Sequence, residues 1–163
     1  MRLVTTLALS ALCLVGCDSF GTDAPLDEAP ASEPWGEMLD AVNEARTAGQ
    51  TCGDALYAPA PPLVWNGRLE TAAERHTADM VEHAHFDHTG TDGSRPGDRA
   101  TRAGYSWRVV GENIARGQPT VDEVVSDWVA SPGHCRNLMD PRFAEIGAAE
   151  QEGYWTQVFG LAR

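Results

Sequence analysis

Residues 120–137 read Thr120-Val121-Asp122-Glu123-Val124-Val125-Ser126-Asp127-Trp128-Val129-Ala130-Ser131-Pro132-Gly133-His134-Cys135-Arg136-Asn137. Thr120 and Glu123 have the Thr-x-x-Glu spacing of a capping box, in which each side chain satisfies an amide that the first helical turn leaves free. Val121, Val124, Val125, Trp128 and Val129 then share one face of the helix that follows. Ser131-Pro132 opens a second, short helix, with the serine oxygen expected to cap the amide of His134 and proline at the first helical position. Downstream the pattern becomes that of strands, over residues 145–149 and 154–159, with Glu152-Gly153 as the hairpin turn between them. Upstream, Met38, Leu39, Val42 and Ala45 recur at helical spacing, and Gly49 ends a helix of residues 37–48. Residues 51–62, rich in Gly, Pro and Ala, read as loop. Asn66 caps a helix over residues 67–83 whose apolar face runs Leu69, Ala72, Ala73, His76, Met80, His83. A polar loop with Gly90, Gly93, Pro96 and Gly97 leads to a short helical turn ending at Ala103-Gly104. Helices dominate and a small antiparallel sheet comes late, which makes the fold class α+β.

The N-terminus has a different character. Arg2 supplies one positive charge ahead of an apolar run over residues 3–16, too short to span a bilayer and built like a signal-peptide core. It ends in Leu14-Val15-Gly16-Cys17, which resembles a bacterial lipobox; residues 1–16 are therefore expected to be a lipoprotein signal peptide and Cys17 the acylated, membrane-anchoring residue. The alternative is an ordinary cleaved signal. Residues 17–34 are acidic, carry Pro25, Pro30 and Pro34, and hold no basic residue, so they read as a flexible tether. Residues 35–163 have the size of one domain.

Charge excludes one class of partner. Twelve Lys+Arg against 24 Asp+Glu leave a net charge of −12, and every one of the twelve cations is an arginine. Nucleic-acid binding needs a basic footprint, which is lacking. Of the four cysteines, Cys13 lies inside the signal and Cys17 is the lipidation site; Cys52 and Cys135 remain as a disulfide pair in an exported domain.

Five histidines carry the chemistry. His76 falls on an apolar stripe and is expected in the core, donating to a backbone carbonyl. His83, His85 and His88 form His-x-His-x-x-His, which lacks the helical spacing of a self-contained zinc site. His134 lies in the first turn of its short helix, where the dipole favours the neutral ring, able to bind a metal or accept a proton. Glu112, in Gly111-Glu112-Asn113-Ile114-Ala115, reads by itself as a buried carboxylate satisfying loop amides. Ser131 has no nucleophile elbow around it.

Four blocks occur in order: His85-Phe86-Asp87-His88-Thr89-Gly90, then Gly111-Glu112-Asn113-Ile114-Ala115, then Ser131-Pro132-Gly133-His134-Cys135-Arg136-Asn137, then Tyr154-Trp155-Thr156-Gln157-Val158-Phe159. Together they resemble the successive signature blocks of the CAP superfamily, the SCP-like domain of cysteine-rich secretory, antigen 5 and pathogenesis-related 1 proteins, in its bacterial branch. The resemblance spans residues 38–160. It implies an α-β-α sandwich with a central antiparallel sheet, and a cleft of histidines and acidic residues able to hold a divalent metal, zinc first. His88 matches the first cleft histidine, Glu112 the glutamate of the Gly-Glu-Asn block, and His134 the histidine of the bacterial branch. Two departures stand out. Ser131 falls where animal and plant members have a second glutamate, and Tyr154-Trp155 stands where they have a second histidine.

Three functions are compatible with these residues. The first is an extracytoplasmic, membrane-anchored binding module taking a lipid, a glycan or a protein in the cleft. The second is a metal-dependent hydrolase in which His88 and His134 hold zinc and Glu112 orients or deprotonates a water. The third is a structural envelope protein whose His/Glu cluster only holds its loops together.

Overall fold

The computed structural model describes residues 35–163; the expected signal peptide, the expected acylation at Cys17 and the expected tether fall on residues 1–34, outside the described residues. The chain runs α1 (Trp35–Ala48), β1 (Gln50–Cys52), β2 (Ala55–Tyr57), β3 (Val64–Trp65), α2 (Gly67–Glu82), α3 (Pro96–Arg102), β4 (Trp107–Arg116), α4 (Val121–Ala130), α5 (Pro132–Leu138), β5 (Glu145–Gln151) and β6 (Tyr154–Ala162). Four strands form one sheet in the order β3-β5-β6-β4, antiparallel except for the short parallel pair β3–β5. β1 and β2 make a separate hairpin.

β6 organises the layers. It lies between β5 and β4, and residues 154–160 are all buried, because helices cover both faces of the sheet. Its side chains alternate accordingly. Trp155 and Phe159 enter the larger core with Met38, Val42, Val124, Trp128 and Leu138 from α1, α4 and α5. Val158 enters the smaller one with Leu69, Ala72 and Ala73 of α2 and Ala100 of α3. The result is the α-β-α sandwich expected.

α2 sits close to the sheet because position 147 of β5 has no side chain. A Cβ on Gly147 would lie 2.0 Å from the backbone nitrogen of Glu70. The expected hairpin joins β5 and β6, with Glu152 at φ 52° and Gly153 at φ 77°, the paired left-handed conformation that suits a two-residue turn. Asn66 caps α2 by accepting from the amides of Arg68 and Leu69, and Thr120 caps α4 through the amide of Glu123.

The structure departs from sequence expectation in three elements. Residues 50–57 form the β1–β2 hairpin where loop was expected. β4, unforeseen, is the longest strand and runs alongside β6 from Trp107 to Arg116. Ser131 makes no side-chain cap to α5; its backbone ends α4 by donating to Asp127 O, and its carbonyl starts α5 by accepting from Cys135 N.

Cys52 and Cys135 form a disulfide, with Cα atoms 5.4 Å apart across a sequence separation of 83. It ties the β1–β2 hairpin to α5, the helix that carries His134. Arg46 of α1 is fully buried and donates to the carbonyl oxygens of Pro61 (2.8 Å), Leu138 (2.6 Å), Asp140 (3.1 Å) and Phe143 (3.3 Å). One guanidinium therefore satisfies both sides of the crossing from α5 to β5.

Candidate functional site

β4 aims Glu112 at the α2/α3 layer, where the carboxylate is 1 % exposed and both of its oxygens have partners. Oε1 accepts from His88 Nδ1 at 2.8 Å, and Oε2 accepts from Arg99 Nη2 of α3 at 2.6 Å. Arg99 also donates to the carbonyl oxygens of His88 (3.0 Å) and Ser94 (2.8 Å). It therefore holds the carboxylate and the loop that carries His88 at the same time. Sequence reasoning passed over Arg99, since an arginine in a short polar helix looks like surface; only the long-range pairing distinguishes it.

The loop after α2 is built to present His88. Asp87 Oδ1 accepts from Thr89 N, and Asp79 accepts from both the amide and the hydroxyl of Thr91. His85 Nε2 lies 2.8 Å from Thr89 O, while His83 Nδ1 lies 3.0 Å from Asp79 O. The His-x-His-x-x-His run thus spreads over three different partners.

His88 is half-exposed at its side chain. Its hydrogen bond to Glu112 raises its pKa above the usual imidazole value, against the opposing effect of partial burial. With Nδ1 fixed on Glu112, Nε2 is the ring atom left over, a carboxylate–histidine arrangement that also orients many metal-bound imidazoles. His134 lines the same groove as His88. Burial lowers its pKa, and the charge of His88 pushes it the same way. The two rings therefore differ in proton affinity within one groove.

His76 is in the core as expected, with the backbone of Asp87 close enough to its ring to favour the protonated form. Its Nε2 stands 3.7 Å from Glu112 Oε1. Burial lowers its pKa, with Glu112 pulling the other way.

The groove encloses about 460 Å³. Ile114, Ala115 and Trp128 provide apolar surface, His88 and His134 supply the polar atoms, and Ser131 stands with them. The zinc expectation meets an obstacle in the donor set. Both Glu112 oxygens are already engaged, one by a guanidinium, and no three His, Cys, Asp or Glu side chains are grouped to hold a metal among the described residues. As arranged, the residues do not fit a three-ligand zinc centre.

Comparisons with known proteins agree with the fold. The uncharacterized protein YkwD of Bacillus subtilis is 38 % identical over 100 residues, covering 60 % of this chain and 39 % of that protein. The uncharacterized membrane protein YlbC of the same organism is 28 % identical over 97 residues, covering 60 % and 28 %. The chain thus matches less than half the length of either relative. Among solved structures, an extracellular protein containing an SCP domain from Bacillus anthracis superimposes with a TM-score of 0.68 at 26 % identity, over 76 % of this chain and 39 % of that one. An outer surface protein of Borrelia burgdorferi gives 0.66 at 20 % identity, over 78 % and 91 %, a likeness of fold alone. The family model for CAP, the cysteine-rich secretory protein family, matches residues 39–159. With that match spanning most of the chain, and the sandwich and its signature blocks in place, the protein belongs to the CAP family.

Proposed function

We propose that this CAP domain is an extracytoplasmic binding module, held to a membrane through acylated Cys17 and the tether of residues 17–34, with its ligand in the groove of His88 and His134. The observation that carries this reading is the groove itself, about 460 Å³ of open cleft lined by two imidazoles and by apolar side chains, the usual build of a small-ligand site. The Cys52–Cys135 bridge supports an oxidising compartment. So does the similarity to the extracellular SCP-domain protein of Bacillus anthracis.

Metal-dependent hydrolysis finds less support. Glu112 is held by Arg99 and His88, and a metal-bound water would have to compete with both partners for its carboxylate oxygens. The purely structural reading leaves the open groove without a purpose.

The test is a titration of the purified chain with three soluble probes, N-acetylglucosamine dimer, palmitate and a tetra-alanine peptide, followed at the imidazole NMR signals. At least one probe should shift both His88 and His134, and His88→Ala and His134→Ala should each weaken it tenfold or more while the remaining NMR spectrum shows the fold intact. A lower Tm in both variants with no loss of binding would make the cluster structural. Stoichiometric zinc in the native chain, lost in both variants, would restore the hydrolase. Release of Cys17→Ala from the membrane fraction tests the anchor.

A further inference from the structure

A second cavity, of about 620 Å³, opens beside the first, lined by Trp35, Glu37, Thr120, Glu150 and Trp155 among others. Gln118 lines both. It sits where they meet: its Nε2 donates to Asp127 Oδ2 at 2.8 Å, and its backbone carbonyl accepts from Trp155 Nε1 at 2.8 Å. Its Oε1 is buried and has no partner among the described residues. A buried acceptor left unpaired is unfavourable, so a ligand that crosses this saddle and draws the Gln118 amide outward gains by donating to it.

We propose that the two cavities form one elongated groove for a neutral, N-acetylated amino-sugar chain, crossing from His88 and His134 over Gln118 to Trp35. This rests on the binding-module reading and names its ligand class.

Four observations favour a glycan. Trp35 is only partly buried, stacked on Trp65 with ring centroids 6.1 Å apart and an interplanar angle of 13°, so it offers a flat aromatic platform whose position is already held. Glu37 and Glu150 beside it, and Gln118 in the saddle, provide acceptors for hydroxyl and acetamido N–H groups. The acidic lining and the net charge of −12 oppose an anionic polymer. An extended peptide is disfavoured by the edge of the sheet. β4 is the outer strand, and a peptide would bind by adding a strand to it. Two of its carbonyls are already taken: Glu112 O accepts from Asn137 Nδ2 at 3.0 Å and Ile114 O from Trp128 Nε1 at 3.3 Å. Recognition is therefore left to side chains.

The experiment is calorimetric titration of the full chain with the N-acetylglucosamine dimer and hexamer. The hexamer, able to reach both cavities, should bind at least tenfold tighter than the dimer. Trp35→Ala and Gln118→Ala should each bring hexamer affinity down to near that of the dimer, while dimer binding stays sensitive to His88→Ala. Since Trp35→Ala also loses a stacking partner, the Tm of each variant is measured, and Gln118→Ala stands as the second variant if Trp35→Ala is unstable. Equal affinity for dimer and hexamer, or hexamer binding indifferent to both substitutions, overturns the elongated groove and leaves the His88/His134 site standing. Palmitate or peptide binding at His88 with no glycan binding overturns the glycan assignment alone. Failure of every probe overturns both readings.

Discussion

Arg99 Nη2 donates to Glu112 Oε2 across 2.6 Å, and the two side chains are only 5 % and 1 % exposed. Breaking such a pair from one side strands a charge in the core, which costs about 3–5 kcal/mol, whereas replacing both members with apolar groups of similar size is often close to neutral. Arg99→Met is therefore expected to destabilise the domain by about 3 kcal/mol or more, and Arg99→Met with Glu112→Leu to recover most of the loss. Urea unfolding of the three proteins is the measurement; a double variant as unstable as the single one would refute the pair as the cause.

The imidazoles should titrate in a defined order. NMR of the ring protons is expected to place His88 above the ordinary value of about 6.5, and His76 and His134 below it, from the shifts described. The stability consequences have opposite signs. The raised pKa of His88 gives stabilisation that is full below about 6.5 and is lost as pH rises through the folded value. For His76 the folded state resists protonation, so stability falls as pH drops from about 6.5 toward its folded value. His88→Ala should flatten the alkaline loss and His76→Gln the acid one, measured as Tm against pH. Unaltered profiles would count against both assignments.

Gly147→Ala should be among the more damaging single-methyl substitutions. Its Cβ would fall 2.0 Å from Glu70 N and 2.4 Å from Leu69 C, both main-chain atoms of α2. Overpacking against backbone cannot be relieved by a rotamer change, so a loss of about 3 kcal/mol is expected, measured by denaturant melts. A change below about 1 kcal/mol, the low end for overpacking, would mean α2 shifts freely over the sheet.

Reduction of Cys52–Cys135 should lower stability by about 4 kcal/mol, given the long loop it closes. It should also loosen the setting of His134, since Cys135 is its neighbour on α5. Tm with and without reductant checks the first, and the linewidth of the His134 ring signals the second. A reduced protein with unchanged Tm would show that α5 is held by Arg46 and the core alone.

Elements whose signals are local were legible from residue order. The Thr120 cap, the Asn66 cap, the Glu152-Gly153 turn and the amphipathic stripe of α4 each depend on residues within a few positions of one another. Pairing of Cys52 with Cys135 followed from their being the two left over. The family was readable in four ordered blocks, and with it the sandwich.

What residue order concealed is long-range. β4 shows no clean alternation because residues 112–115 are buried in succession beneath helices, and its Gly111-Glu112 looks like loop until β6 pairs with it. The β1–β2 hairpin is three residues a strand, too short for a pattern to register. Ser131 looks like a helix cap, yet its backbone is shared between two helices and the residue borders the groove. Nothing in residue order marks Arg46 and Arg99 as buried, since an arginine is placed in a core only by partners far along the chain: carbonyls of residues 138–143 for one, Glu112 for the other. His88, Glu112 and His134 could be named from the chain alone, because each sits in a recognisable block. That Glu112 is bound to Arg99 required the fold, which brings β4, α3 and the loop after α2 to one buried point.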